Sequence, residues 1–192
     1  MQLRNAITAE QIKRIHNLYE EAFPASEKKP FEMILAKRET GNFEILEITD
    51  DEGCFCGLAI MMLYQNLALL DYFAIAANCR GNGKGSAALK VLQDKYADQK
   101  FILEIENTAG LTDDGLKMTQ QVECLPEEEK QIRLRRKAFY LRNDMRQMDF
   151  YVDLFGVEME ILVHGEKVDF EEYYSILKST IPPELLHRVK LL

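Results

Sequence analysis

"LLDYFAIAANCRGNGKGSAALKVL", residues Leu69 to Leu92, sets an apolar, strand-like run directly before a glycine-rich loop and an amphipathic helix. Gly81, Gly83 and Gly85 occupy alternate positions where the helix must begin. Glycine within a helix costs about 1 kcal/mol relative to alanine, so something must compensate. The start of a helix leaves backbone N–H groups unpaired and carries partial positive charge. An anion set against it is bound without a specialised side chain. Glycine lets the backbone approach that anion closely and take up positive φ. Arg80 and Lys84 add two cations to the same loop. The pattern fits a polyphosphate held at the end of a strand. It is not a P-loop, because Lys84 lies between two glycines where G-x-x-x-x-G-K-[ST] is required. It is not a dinucleotide fingerprint either, because the spacing is G-x-G-x-G and the preceding strands look antiparallel. A ligand-free turn is the remaining reading, and the two flanking cations count against it.

Outward from this stretch, the periods of the apolar residues predict the other elements. "QLRNAI" reads as a short first strand. "TAEQ" follows as a capping box, with Thr8 as N-cap and Gln11 three residues on. Ile12, Ile15, Tyr19, Ala22 and Phe23 then recur at helical spacing until Pro24. "SEKK" is a polar link, and Pro30 opens a second helix that stops at Gly41. "FEILEIT", "CFCGLAIMMLY" and "LALLDYFAIA" have short connections and form an antiparallel meander. The helix after the loop carries Ala87, Ala88, Val91, Leu92 and Tyr96 on its apolar side, and "KFILEIE" follows as a buried strand. Such a strand–helix–strand unit is right-handed, with its two strands parallel. Residues Asn107 to Pro126 show no period, and long connections are often functional. A basic helix from Glu127 to Asn143, a hairpin around Gly156 and a terminal helix stopped by Pro182 and Pro183 complete the chain. The expectation is one α+β domain spanning residues 1–192.

Composition narrows the function classes. The chain has 192 residues and a formal net charge of −8, which disfavours a nucleic-acid surface and suits cationic small partners. No apolar run approaches a membrane span, and the first residues lack a signal-peptide core, so a cytoplasmic protein with no membrane partner is expected. Cys54, Cys56, Cys79 and Cys124 include no C-x-x-C pair, and the three histidines are far apart in sequence. Buried thiols are the reading preferred over a disulfide framework or zinc site, with Cys54 and Cys56 on one face of a strand. No metal is expected.

The quoted stretch resembles the acetyl-CoA-binding motif of the GCN5-related N-acetyltransferases (GNAT), R-x-x-G-x-G after an apolar strand, matched here by Arg80, Gly83 and Gly85. "LYEEAFPASEKKPF" resembles the N-terminal helices of a bacterial branch of that superfamily. "FILEIE" resembles its fifth strand, and "RRKAFYLRNDM" its F-Y-x-x-x-G-F segment. The resemblance runs in order along nearly the whole chain. It implies a mixed, mostly antiparallel central sheet whose fourth and fifth strands splay apart, with helices on both faces. It also implies acetyl-CoA as co-substrate. The pantetheine arm would pair with backbone of Phe73, Ala74 and Ile75 in the manner of an added strand. Arg80, Gly81, Asn82, Gly83, Lys84, Gly85 and Ser86 would hold the pyrophosphate. The activity implied is N-acetyl transfer to an amine of a small molecule or peptide, and a homodimer stays open.

Acetyl transfer needs a deprotonated amine, a polarised thioester carbonyl and a protonated leaving thiolate. Tyr140 matches the family's tyrosine and lies off the apolar stripe of Leu134, Ala138, Leu141 and Met145, so it is the candidate acid. Asp71, Glu104 and Glu106 are candidate bases, because a carboxylate in an apolar strand is costly unless wet or paired. A water chain is the alternative base. Two departures from the family pattern stand out. Asp144 and Met145 replace the usual glycine and phenylalanine, although Asp tolerates left-handed backbone better than most residues. The second is a run of cations from Lys130 to Arg146, which reads as a solvated helix face or as a reach toward the CoA 3′-phosphate. A CoA-binding module without turnover and a purely structural α+β domain are the competing readings.

Overall fold

The computed structural model describes residues 1–25 and 27–192. The expected polar link "SEKK" begins at Ser26, outside the described residues. Contacts divide the chain into two compact units, Met1–Phe101 and Ile102–Leu192.

In the first unit, β1 (Gln2–Asn5), β2 (Phe43–Thr49), β3 (Phe55–Tyr64) and β4 (Leu67–Ile75) lie side by side in that order, each pair antiparallel. This is the predicted meander, with β1 added at its edge. Helix α1 (Ala9–Ala22) begins with the expected capping box: the Thr8 hydroxyl accepts from the Gln11 N–H, and the Gln11 side chain accepts from the Thr8 N–H. It buries Ile15, Leu18 and Tyr19. Helix α2 (Phe31–Glu39) starts after Pro30 and buries Phe31 and Ile34. Between β4 and α3 (Lys84–Lys95) stand a 3-10 turn, Ala77–Cys79, and the glycine loop. The buried face of α3 is Ala88, Leu89, Leu92 and Gln93. It is turned relative to the expectation: Ala87 is exposed and Leu89 takes its place in the core.

The cysteine reading needs correction. The Asp50 carboxylate accepts from the N–H groups of Glu52 and Cys54, which closes a turn before β3 starts at Phe55. Cys54 is therefore exposed in a turn, while Cys56 is buried in the strand. Of the other two, Cys79 is buried and Cys124 exposed.

Strand β5 (Lys100–Glu106) opens in the first unit and continues into the second. There β6 (Arg146–Leu154), β7 (Val157–His164) and β8 (Val189–Leu191) follow, in the spatial order β5-β7-β6-β8, with β6 antiparallel to both β7 and β8. The long connection after β5 contains one short helix, α4 (Gln120–Glu123). Helix α5 (Glu127–Leu141) is the expected basic helix. Helix α6 (Phe170–Thr180) is capped by Asp169 and Glu172 and buries Tyr173, Ile176, Leu177 and Thr180. A 3-10 turn (Pro183–Arg188) and β8 follow α6, and neither was expected. The α+β class with mostly antiparallel pairing agrees with the sequence. Among the described residues, no helix is long and apolar enough to cross a membrane.

The predicted apolar stripe of α5 is also corrected. No residue of α5 is fully buried, and Ala138 and Leu141 are exposed; only Met145, beyond the helix, enters the core.

Candidate active site

The glycine loop is built from backbone conformation. Gly81, Asn82 and Gly83 take φ values of +84°, +51° and +74°, three left-handed residues in a row before α3. L-residues rarely adopt this conformation, and asparagine is among the few that tolerate it. A Cβ added at Gly81 or Gly83 would meet nothing within 4 Å. Crowding by the protein therefore does not explain these glycines; the positive φ and the open space beside the loop do. Successive N–H groups in such turns form concavities suited to anions. Gly85 and Ser86 lie in the first turn of α3.

The two cations of the loop behave differently. Arg80 is exposed, and its Nε donates to the Ile75 carbonyl at 3.0 Å, which ties the loop to the end of β4 and leaves the outer guanidinium nitrogens to the loop. The Lys84 ammonium is turned toward Asp50 Oδ2 and Cys56 Sγ, each 3.7 Å away. Its charge is shared with Asp50, so the positive field at the loop rests mainly on Arg80 and the helix start. Ahead of the loop, Phe73 and Ile75 are half-buried and Ala74 is buried, in register with Ala59, Gly57 and Leu58 of β3 respectively.

Asp71 sits at an irregularity that sequence reasoning did not find. Ile60 of β3 pairs with Tyr72 and Met61 pairs with Leu70, which leaves Asp71 as an extra residue on β4. A bulge of this kind re-aims a side chain and recurs beside active sites. The Asp71 carboxylate accepts twice from the Lys29 ammonium, at 2.6 and 2.7 Å. Burial pushes its pKa up, and the Lys29 charge pulls it partly back. Lys29 is itself held by its backbone: its N–H donates to the Tyr72 hydroxyl and its carbonyl accepts from the Tyr19 hydroxyl. A primary ammonium of the chain thus already rests on this carboxylate.

In the second unit, Glu104 accepts from the Tyr173 hydroxyl at 2.6 Å. Glu106 pairs with Arg136. Burial pushes the Glu106 carboxyl up, but the Arg136 charge and hydrogen bond outweigh it and hold its pKa below the usual value. Tyr140 is half-buried, one helical turn beyond Arg136, and its hydroxyl has no hydrogen-bond partner among the described residues. Desolvation raises its pKa to about 12, with Arg136 pulling it down and Glu106 pushing it up. The phenol is a held, undissociated donor at neutral pH. Much of the cationic run on α5 is engaged locally. Arg133 bonds Glu129 and the Asn107 carbonyl, and Lys137 meets Glu160 and Thr108. Arg142 lies over the Phe139 ring. Among the described residues, Lys130 and Arg135 have no ion-pair partner. No group of three or more His, Cys, Asp or Glu side chains among the described residues is placed to hold a metal ion.

No protein-family model matches the sequence, and no curated protein matches it. Solved structures do. A Bacteroides thetaiotaomicron protein described as a GNAT-family acetyltransferase is 21% identical, covers 93% of this chain and 94% of its own, and superposes with a TM-score of 0.65. An aminoglycoside 6′-N-acetyltransferase in complex with coenzyme A is 12% identical over 88% of this chain and 100% of its own, with a TM-score of 0.62. A spermidine N-acetyltransferase chimera of Vibrio cholerae SpeG and hSSAT is 13% identical over 85% of this chain and 96% of its own, with a TM-score of 0.60. At these identities the likeness carries the fold, and the fold of this chain is that of the GNAT acetyltransferases.

Proposed function

We propose that this chain is an acetyl-CoA-dependent N-acetyltransferase that moves the acetyl group directly to a primary amine of a small molecule or peptide. The observation that carries the proposal is the left-handed Gly81-Asn82-Gly83 run before α3, open on the side where a Cβ would project. Those residues, with Arg80, Lys84, Gly85 and Ser86, receive the pyrophosphate of CoA. The backbone of Phe73, Ala74 and Ile75 receives the pantetheine arm. The structural neighbours support the reading, since one is an aminoglycoside 6′-N-acetyltransferase in complex with coenzyme A and another is named for spermidine. Tyr140, a protonated phenol with an unengaged hydroxyl, donates the proton to the departing thiolate. Asp71, re-aimed by the bulge in β4, is the candidate to receive the acceptor amine in exchange for the Lys29 ammonium it now holds.

The test is cofactor-induced stabilisation. CoA at 100 times its Kd stabilises the native state by about 2.7 kcal/mol, read as a rise in Tm. Gly83→Val lowers the variant's own Tm, because valine is strained at a φ of +74°; the diagnostic is loss of the CoA-induced rise. No rise with millimolar CoA in the unaltered chain, or an undiminished rise in the variant, overturns the assignment of the loop.

One observation favours a second reading, a CoA-binding module without turnover. Asp71, Glu104 and Glu106 each already have a partner, Lys29, Tyr173 and Arg136 respectively. Release of CoA thiol from acetyl-CoA across a panel of amines separates the two readings. Turnover with any amine supports the enzyme, and binding without turnover supports the module.

A further inference from the structure

Cys56, on β3, and Cys79, in the 3-10 turn that leads into the glycine loop, place their sulfurs 3.1 Å apart, and both thiols are free. Their positions are fixed by backbone on either side. The Ala76 N–H donates to the Cys56 carbonyl at 2.9 Å, and the Cys79 N–H donates to the Ala76 carbonyl at 2.8 Å. A disulfide needs a sulfur separation of about 2.05 Å, so the remaining gap of roughly 1 Å is within the reach of small side-chain rotations. Both residues are buried, but Cys79 keeps 8% of its surface and Cys56 none, so Cys79 is the more accessible of the two. Lys84, the first residue of α3, sets its ammonium 3.7 Å from Cys56 Sγ and favours the thiolate there. Burial and the neighbouring Cys79 act the other way and push the Cys56 thiol up to about 11, and only the thiolate fraction reacts. Two buried cysteines touching as small apolar groups is the ordinary alternative.

We propose that Cys56 and Cys79 form a reversible dithiol–disulfide pair that fastens the start of the glycine loop to β3. With a low-molecular-weight disulfide as oxidant, the Cys79 thiolate attacks one of its sulfurs and releases one small thiolate. The Cys56 thiolate then attacks Cys79 Sγ, forms the internal S–S bond and releases the second. Two protein thiols are oxidised, one small disulfide is reduced to two small thiols, and the two protein protons pass through solvent to those thiols. The loop gains a covalent anchor one residue before Arg80, and its left-handed residues lose freedom.

The experiment uses the full chain carrying Cys54→Ser and Cys124→Ser, two exposed positions, so that the buried pair alone reacts. Folded protein is incubated with glutathione disulfide and examined by intact mass. The expected result is a loss of about 2 Da, no titratable thiol after unfolding, and full reversal by dithiothreitol. Adding Cys79→Ser to this background abolishes the 2 Da loss. Hydrogen exchange of the amides from Gly81 to Lys84 is expected to slow in the oxidised form. Two thiols that persist, a glutathione adduct that does not resolve, or closure only in denaturant overturns the pair. A disulfide that leaves exchange of the loop amides unchanged overturns its coupling to the loop.

Discussion

The glycine loop and the helix α5 region solve opposite problems. At the loop, the distinctive feature is backbone: three left-handed residues and a helix start, with side chains that mainly anchor the turn. Along α5 it is side-chain charge, and most of that charge is balanced: Arg133 by Glu129, Arg136 by Glu106, Lys137 by Glu160. A backbone site tolerates changes of side chain until a Cβ strains it. A site made of paired charges is hurt by deleting either member, because the partner is left without compensation.

Glu160 and Lys137 show the difference at its largest. Glu160 is fully buried; its Oε1 accepts from both the N–H and the hydroxyl of Thr108 at 2.6 Å, and its Oε2 is in ion-pair contact with the Lys137 ammonium at 2.7 Å. Lys137→Met is expected to cost about 3–5 kcal/mol in urea unfolding, because it strands a buried carboxylate. The double variant Lys137→Met/Glu160→Gln is expected to recover much of that loss. Arg80→Met, at the loop, removes one exposed hydrogen bond and is expected to cost about 1 kcal/mol or less. Equal costs at the two positions would break the contrast.

Tyr140→Phe is the next largest effect and acts on turnover rather than stability. Among the described residues the hydroxyl has no partner to lose, so the ring still packs and the fold is retained. Positioned acid catalysis contributes about 10²–10⁴-fold, and a thiolate is a good leaving group, so a fall of about 10²-fold in kcat is expected. CoA-induced stabilisation should be unchanged. The pH profile sharpens this further. With the phenol raised to about 12 by burial, the acid stays protonated, and Tyr140 produces no alkaline fall in kcat up to pH of about 10. An unchanged kcat in the variant places the acid elsewhere.

These regions were also unequally legible in the sequence. The loop announced itself because glycine at a helix start is unfavourable, and a local penalty needs a local reason. The Thr8–Gln11 capping box was readable for the same cause, since its bonds span three residues. The stripe of Leu134, Ala138 and Leu141 has a helical period, yet these residues are not buried, while Arg133, Arg136 and Lys137 of the same helix make polar contacts to Asn107, Glu106 and Thr108. Periodicity reports which residues share a face, not what lies opposite. The same limit hid the bulge at Asp71, which is set by its register against Ile60 and Met61 on another strand. By sequence Lys84 counts only as a loop cation, because its neighbours in the fold, Asp50 and Cys56, are distant along the chain. Strand β8 is three residues long, too short to show an alternation.

The smallest expected effect returns to left-handed backbone, now carried by a residue that is not glycine. Past the end of α5, the N–H groups of Asn143 and Met145 both donate to the Tyr140 carbonyl, at 3.0 and 3.2 Å, and Asp144 takes a φ of +62°. The bond from Met145 is the long-range closure of a Schellman turn, with Asp144 at the position that glycine usually holds. Met145 then enters the core, 2% exposed. The turn that the sequence put in question is therefore formed, at the cost of left-handed strain on an aspartate. Asp144→Gly relieves roughly 1 kcal/mol of that strain. It also loosens the unfolded chain, which takes back about 0.4–1 kcal/mol. The net expectation is a gain of no more than about 0.5 kcal/mol, read as a small shift of the urea midpoint with unchanged slope. Gly83→Asp tests the converse at the loop. Its φ of +74° is close to that of Asp144, so an aspartate there costs little stability, yet its charge opposes a phosphate. If Gly83→Asp retains full CoA-induced stabilisation, the similarity of the two turns is only conformational, and the loop is not an anion site.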